Sequence, residues 1–280
     1  MSAQDPRNKF KTDNYEKQEQ EVPGIQAKMS PQPDCGEDSY HGHHRLDGFK
    51  ILVTGGDSAI GRAAAIAYAK EGADVAINYL PSEQQDADDV KQIIENVGQK
   101  AILIPGDIRD EQFNYDMVQE AYQQLGGLDN VTLVAGHQLY QDELSEFKTQ
   151  DFTETFETNV YPVFWTVQKA LEYLQPGGSI TTTSSVQGYK PAAILHDYAA
   201  SKAAIISLTK SLSEEFGDKG IRVNSVAPGP FWSPLQISGG QPQSAIPEFG
   251  QATPLGRAGQ PVELSGTYVL LASEESSYTT

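Results

Sequence analysis

From residue 50 onwards, short apolar segments alternate with longer amphipathic ones, and this alternation limits the fold more than any other feature of the chain. The pattern predicts strands at 50–54, 74–79, 101–104, 131–135, 179–183 and 221–226, and helices that end at 71 or cover 83–96, 110–125, 151–174, 197–216 and 261–273. Most of these strands are apolar throughout, which is typical of parallel strands covered on both faces. The sequence therefore predicts an α/β fold with a doubly wound parallel sheet.

The first predicted strand runs into a glycine-rich turn. Its residues are Gly55-Gly56-Asp57-Ser58-Ala59-Ile60-Gly61-Arg62, and an alanine-rich helix follows. A buried strand, a glycine-rich turn and a helix form a dinucleotide-binding opening, in which Gly55 permits the tight turn and Gly61 permits close packing of helix on strand. The helix N-terminus offers N–H groups and a positive dipole end to a pyrophosphate. We therefore predict a single Rossmann-type domain.

In open parallel sheets, ligands bind beyond the carboxyl ends of the strands. Gly55, Asp107, Gly136, Ser185 and Pro228 each follow a predicted strand. We expect these five residues to lie around one site.

Tyr198 and Lys202 are four residues apart on a predicted helix, so they share one face. Ser185 precedes the tyrosine by thirteen residues, at the end of a predicted strand. A phenol beside an ammonium and facing a hydroxyl can exchange a proton with a carbonyl oxygen. We expect the adjacent cation to lower the pKa of Tyr198. Alone, however, a Tyr-x-x-x-Lys pair usually has no function.

Composition excludes several classes of protein. The net charge of -18 argues against nucleic acid and against anionic membrane surfaces, and no apolar run is long enough to span a bilayer. One cysteine, Cys35, excludes an internal disulfide and suits a reducing cytoplasm. His41, His43 and His44 lack partners at ligand spacing, so we predict no metal site.

Two segments fall outside the alternation. Residues 1–47 are polar and aperiodic, and we interpret them as an extension that is partly disordered or lies across a neighbouring subunit. Residues 228–253 form a long loop rich in Pro, Gly and Ser. Its apolar residues predict a lid over a substrate: Phe231, Trp232, Leu235 and Ile237.

Taken together, these motifs resemble the short-chain dehydrogenase/reductase family, from Gly48 to the end. The matching marks are Thr54-Gly55-x-x-x-Ala59-Ile60-Gly61, Asp107, Asn159, Ser185, Tyr198-x-x-x-Lys202 and Pro228-Gly229. Pro23-Gly24-Ile25-Gln26-x-Lys28-Met29 and Gln236-Ile237-Ser238-Gly239-Gly240 resemble a bacterial subgroup with a hydrophilic N-terminal extension, described as aldehyde-reductase-like or stress-associated oxidoreductases. The resemblance implies two parts, an extension at 1–47 and a domain at 48–280.

The resemblance also implies residue roles. Tyr198 would be the general acid/base, Lys202 would lower its pKa and hold the nicotinamide ribose, Ser185 would bond the substrate oxygen, and Asn159 would position a proton-relaying water. Asp107 would contact the adenine. The implied cofactor-binding residues are Gly55, Asp57, Ser58, Ala59, Ile60, Gly61, Asn78, Tyr79, Leu80, Asp107, Ile108, Ala135, Gly136, Tyr198, Lys202, Pro228, Gly229, Phe231 and Ser233. For the substrate we name Ser185, Gln187, Gln138 and Trp232.

The chain departs from the family pattern at three places. Ala59 replaces the usual middle glycine, and Leu133-Val134-Ala135-Gly136 stands where Asn-Asn-Ala-Gly is common. The sequence stops at Thr280, where members continue into a seventh strand. We therefore expect a truncated chain with an exposed sheet edge. The family's habit is a homotetramer, and truncation would favour a dimer.

The cofactor preference depends on the end of the second predicted strand, Asn78-Tyr79-Leu80. An acidic residue there would bind the ribose 2′-hydroxyl and repel a 2′-phosphate. None is present, so NADP is preferred and NAD is the alternative. We predict an oxidoreductase that moves a hydride between this cofactor and a small aldehyde, ketone or sugar-like alcohol. A catalytically weak nucleotide-binding scaffold is the alternative, whereas an epimerase or dehydratase would need a larger C-terminal part.

Overall fold

The computed structural model describes residues 4–10 and 14–280, and its centre is a parallel sheet of six strands. The strands are β1 (Lys50–Thr54), β2 (Asp74–Tyr79), β3 (Ala101–Pro105), β4 (Asn130–Leu133), β5 (Ser179–Thr183) and β6 (Arg222–Val226). Their order is β3-β2-β1-β4-β5-β6. The chain leaves β1 towards β2 and later returns to the other side of β1 with β4, so the strand order reverses there. Such a switch point is where open α/β sheets bind their ligands.

Seven α-helices in the described residues cover the sheet. They are α1 (Ala59–Lys70), α2 (Gln84–Asn96), α3 (Glu111–Leu125), α4 (Thr149–Asn159), α5 (Tyr161–Ala170), α6 (His196–Phe216) and α7 (Val262–Ala272). One buried apolar cluster joins α1, α2 and α7 to one face of the sheet, and a second joins α3, α5 and α6 to the other. Both faces are therefore covered, as the apolar strands predicted.

The single helix predicted over residues 151–174 is wrong in one respect. The structure has two helices there, α4 and α5, which meet at Val160. Pro162 is the second residue of α5. Proline lacks an N–H and disfavours helical geometry in the residue before it, so a helix more readily starts than continues at this point.

The described part of the N-terminal extension packs against its own chain. Tyr15, Met29, Cys35 and Leu46 are buried. The ring of Tyr15 stacks on that of Trp232, with centroids 3.9 Å apart. The expectation of disorder is therefore wrong for residues 14–47, whereas contact of the extension with a neighbouring subunit stays a prediction. These apolar residues show no periodicity in the sequence because they join three separate buried clusters and not one face of a helix or strand.

Residues 228–253 are packed as well. Trp232 is fully buried and its Nε1 donates to the carbonyl oxygen of Pro31, 2.8 Å away. Ile237 and Ile246 join the same buried cluster. This segment, called the substrate loop below, is therefore held between the sheet domain and the extension. Among the described residues, none of the helices combines the length and the apolar character that crossing a bilayer needs.

Candidate active site

A cavity of about 460 Å³ lies at the carboxyl ends of the strands, beside the switch point. The turn after β1, the ends of β2, β4 and β5, the start of α6 and the substrate loop all contribute to its walls. Every residue that the sequence assigned to the cofactor lines this cavity. Parallel strands bring their carboxyl ends to one edge, which explains why residues spread from position 55 to position 233 converge.

The glycine-rich turn needs glycine at two positions for steric reasons. Gly55 has a φ of +61°, and a Cβ there would lie 2.9 Å from the Cα of Ala135. A Cβ on Gly61 would lie 1.9 Å from the carbonyl oxygen of Gly55. Both contacts are too short for a side chain, so the two glycines allow α1 and the turn after β4 to pack closely against the first turn.

Ala59, which replaces the middle glycine, adopts a φ of +44°, a left-handed conformation that favours glycine. Its N–H donates to Oε1 of Gln26 in the extension, 2.7 Å away. Within residues 4–10 and 14–280, the N–H groups of Ile60 and Gly61 have no hydrogen-bond acceptor. These two donors at the positive end of α1 fit the diphosphate of a dinucleotide. The residues present therefore fit the cofactor that the motif predicts.

Ser185, Tyr198 and Lys202 meet on one wall of the cavity. The hydroxyl of Tyr198 hydrogen-bonds with Ser185. Nζ of Lys202 donates to the carbonyl oxygen of Thr183, 2.9 Å away, and lies 5.5 Å from the centre of the Tyr198 ring. The end of β5 and the first turns of α6 thus place a phenol, a hydroxyl and an amine side by side.

Burial controls the ionisation of this group. It raises the pKa of Tyr198 to about 12, although the hydrogen bond with Ser185 acts in the opposite direction. It lowers the pKa of Lys202 to about 8. The pKa of Tyr198 therefore lies above its ordinary value and not below it as expected, because removal from water outweighs the hydrogen bond with Ser185. At neutral pH the phenol holds its proton.

Asn159 does not line the cavity but supports it from behind. Its Oδ1 accepts from the backbone N–H of His137 at 2.6 Å, and its Nδ2 donates to the carbonyl oxygen of His137 at 2.8 Å. A Cβ on Gly136 would lie 3.4 Å from both the Asn159 side chain and Nζ of Lys202. Asn159 therefore fixes the turn after β4 against Lys202.

Asp107, predicted to contact the adenine, forms an ion pair with Arg109 at 2.6 Å. Arg109 also pairs with Glu154 at 2.8 Å. All three residues line the cavity. These ion pairs fix the loop after β3 along the cavity wall, which Ile108 of the same loop also lines.

Two carboxylates line the cavity near the end of β2. One oxygen of Asp57 is buried without a hydrogen-bond partner in the described residues, and burial raises the pKa of this group. Glu83 was not predicted, and it follows β2 by four residues. Its Oε2 accepts from the N–H of Leu80 at 3.0 Å, and burial raises its pKa to about 7. A glutamate three residues after the N-cap is typical of a capping box, and this is the one sequence pattern that points to a structural role for Glu83.

Two of the four predicted substrate residues line the cavity, and two do not. Ser185 and Gln138 line the cavity, and Nε2 of Gln138 donates to the carbonyl oxygen of Gly240 at 2.6 Å. Trp232 does not line it, so its assignment to the substrate is wrong: the indole is buried against Tyr15 on the far side of the substrate loop. Gln187 does not line it either, because its Oε1 accepts from the N–H of Ala192 at 2.7 Å.

The extension also contributes to the walls, through Val22 and Pro23. No sequence pattern predicts this contribution, since both residues lie in an aperiodic polar segment. Pro234, Gln236 and Ser238 of the substrate loop complete the same side.

Comparison with known proteins agrees with this geometry. A family model described as enoyl-(acyl carrier protein) reductase matches residues 55–280. The chain belongs to the short-chain dehydrogenase/reductase family. The protein is therefore an oxidoreductase, and the fold class and family predicted from the sequence are confirmed.

Three relatives of this oxidoreductase illustrate the likeness. The uncharacterized oxidoreductase YhxD of Bacillus subtilis (strain 168) is 58% identical over 98% of this chain and 93% of its own. NADPH-dependent aldehyde reductase 1, chloroplastic, of Arabidopsis thaliana is 37% identical over 95% of this chain and 94% of its own. The crystal structure of a short chain dehydrogenase from Burkholderia cenocepacia J2315 in complex with NADP has a TM-score of 0.76 and 30% identity, and the match covers 83% of this chain and 94% of that one.

Proposed function

We propose that the protein is a carbonyl reductase or alcohol dehydrogenase that uses NADP(H), with NAD(H) as the alternative, on small aldehydes, ketones or sugar-like alcohols. The observation that carries this proposal is the meeting of Ser185, Tyr198 and Lys202 on the wall of a cavity whose floor is the glycine-rich turn. A relative named as an NADPH-dependent aldehyde reductase and a neighbour solved with NADP support the choice of cofactor and substrate class.

The nicotinamide cofactor supplies the hydride that reaches the carbonyl carbon. Tyr198 gives its proton to the carbonyl oxygen as that oxygen gains charge. The phenol is suited to this step because its pKa, about 12, keeps it protonated at neutral pH. Ser185, which already bonds the Tyr198 hydroxyl, donates to the same oxygen. Lys202 then stabilises the phenolate that remains.

Other parts of the chain hold this group in place. Asn159 fixes the backbone of His137 and so keeps the turn after β4 close to Lys202. The water relay implied by the family resemblance remains a proposal for Asn159. The N–H groups of Ile60 and Gly61 would hold the diphosphate, and Asp107 and Ile108 would hold the adenine.

We further propose a homo-oligomer, a tetramer or a dimer, in a cytoplasmic setting. Phe152, Tyr161 and Phe164 on α4 and α5 are between 41% and 51% exposed, which supports an interface on these helices. The buried thiol of Cys35 is consistent with a reducing compartment, and burial raises its pKa. We also propose that residues 1–47 form an extension and that residues 48–280 form one domain.

The test follows the oxidation of NADPH, and separately of NADH, by absorbance with a panel of aldehydes and ketones. Wild type, Tyr198→Phe and the control Tyr189→Phe would run together. Tyr189 is 67% exposed and does not line the cavity, so its hydroxyl should be dispensable. Loss of a general acid lowers turnover by about 10²- to 10⁴-fold. Turnover that survives Tyr198→Phe would contradict the mechanism, and cofactor binding without turnover would favour the scaffold alternative.

A further inference from the structure

Residues 20–26 of the extension, called the bridging segment here, run along the cavity, and Val22 and Pro23 of this segment line it. At one end, two hydrogen bonds join the bridging segment to the substrate loop. The N–H of Gln20 donates to the carbonyl oxygen of Ile237 at 3.2 Å. Oγ of Ser238 donates to the carbonyl oxygen of Pro23 at 3.1 Å. At the other end Oε1 of Gln26 accepts from the N–H of Ala59 at 2.7 Å. The bridging segment therefore connects the substrate loop to the glycine-rich turn.

The end at the glycine-rich turn is firmly anchored. The side chain of Gln26 is buried, and its backbone N–H donates to Asp86 on α2 at 2.7 Å. The N–H of Ala27 donates to the other carboxylate oxygen of Asp86 at 3.1 Å. A carboxylate that accepts two backbone N–H groups holds this part of the chain in one position.

The middle of the bridging segment is held by its own bonds and by the substrate loop. The side chain of Gln20 both accepts from and donates to the backbone of Ile25, at 2.7 and 3.2 Å. Gly24 has a φ of +85°, and a Cβ there would lie 3.1 Å from the side chains of Pro234 and Ser238. This close fit directs Val22 and Pro23 into the cavity wall.

We propose that the bridging segment closes the cavity over the bound dinucleotide and sets the rate at which the dinucleotide leaves. The inference rests on the proposed function, because the diphosphate would lie at the N-terminus of α1, next to the anchored Ala59. A molecule bound between the glycine-rich turn and the substrate loop leaves only when this connection opens. Each bond that joins the bridging segment to either side therefore slows release.

The test measures release of NADPH, and of NADH, by displacement in a stopped-flow fluorimeter that follows the reduced nicotinamide. Two variants remove one anchor each: Gln26→Ala at the glycine-rich turn and Ser238→Ala at the substrate loop. Each should speed release about fivefold, which is the effect of losing a hydrogen bond of about 1 kcal/mol. The control is Gln18→Ala, which removes two bonds to the backbone of Ser30 within the extension but none to the cavity.

Gln18→Ala should release both cofactors at the wild-type rate even if it lowers Tm by as much as the other two. This comparison separates an effect on the cavity from a general loss of stability. If Gln26→Ala fails to fold, Ser238→Ala still tests the inference. Wild-type release in both anchor variants would overturn it, and so would equal acceleration in the control.

The readout needs no substrate, so the two proposals fail in different ways. NADPH binding with slow release but without turnover would contradict the proposed function and leave the inference standing. Turnover with unchanged release in both anchor variants would do the reverse. Failure of wild type to bind either dinucleotide would overturn both.

Discussion

Glu83 places a titratable charge at the end of the cavity that would hold the adenosine ribose, so NADPH should bind more weakly as the pH rises. Glu83 is 8% exposed. Burial raises its pKa to about 7, the N–H of Leu80 acts in the opposite direction, and the charge of Asp86 raises it further. Asp57, whose pKa is also raised, is the other acid facing it. No lysine lines this end of the described cavity.

The sign and size of the effect follow from this pKa. Below about pH 7 Glu83 is mainly neutral, and above it the carboxylate repels a 2′-phosphate. Because the 2′-phosphate binds only while Glu83 is neutral, the affinity for NADPH should fall about tenfold between about pH 6 and about pH 8. This fall corresponds to about 1.4 kcal/mol of binding free energy. NADH lacks the phosphate, so its affinity should stay nearly constant over the same range.

The assay is fluorescence titration of NADPH and NADH at a series of pH values with wild type, Glu83→Gln and Glu214→Gln. Glu83→Gln should bind NADPH more tightly above about pH 7 and lose the difference below it. Glu214 is exposed on α6, and its variant should follow wild type. The phosphate itself titrates near pH 6, but this contribution is common to all three proteins. Equal pH profiles for wild type and Glu83→Gln would refute the reasoning.

Three further predictions concern stability and cofactor binding. Trp232→Ala should lower the free energy of unfolding by about 3 to 5 kcal/mol, because the indole is fully buried. It should leave the substrate preference unchanged, because the indole does not line the cavity. Denaturant unfolding measures the first effect, and KM values across the panel of aldehydes and ketones measure the second. Burial acts to raise the pKa of Glu71, but the hydrogen bond from Arg45 and other hydrogen bonds lower this pKa to about 2. At pH values above the ordinary pKa of a glutamate, ionised Glu71 therefore stabilises the fold by about 3 kcal/mol. This contribution is lost as the pH falls towards 2. Unfolding of Glu71→Gln should therefore show less acid sensitivity than that of wild type, and equal sensitivity would contradict this account. Gly61→Ala should abolish NADPH binding or folding, because the added carbon would lie 1.9 Å from the carbonyl oxygen of Gly55; a wild-type Kd and Tm would show that the turn yields.

The cavity was the part of the site that sequence patterns predicted well. The turn from Gly55 to Gly61, the end of β2 and the residues after β4, β5 and β6 are each recognised by local signals. A parallel sheet then brings these signals to one edge, so their residues converge in every chain that forms the sheet. This is why all the residues assigned to the cofactor line one cavity.

The ionisation of the catalytic group could not be predicted in the same way. Spacing shows that Lys202 lies one turn from Tyr198, and a neighbouring cation alone lowers the pKa of a phenol. The depth of burial depends on β5, α6 and the substrate loop together. In the structure this burial decides the direction, and the pKa of Tyr198 rises to about 12.

By itself, the sequence determined the alternation of strands and helices, the glycine-rich turn and the Tyr198–Lys202 spacing, because these depend on contacts between residues close in the chain. Only the tertiary structure decided where residues 14–47 lie, which face of the substrate loop carries Trp232, and that Val22 and Glu83 reach the cavity. Those outcomes depend on packing between segments up to two hundred positions apart, as in the bond from Trp232 to Pro31. Such contacts leave no period in the sequence, since each is fixed by the shape of a surface that forms only when the sheet has folded.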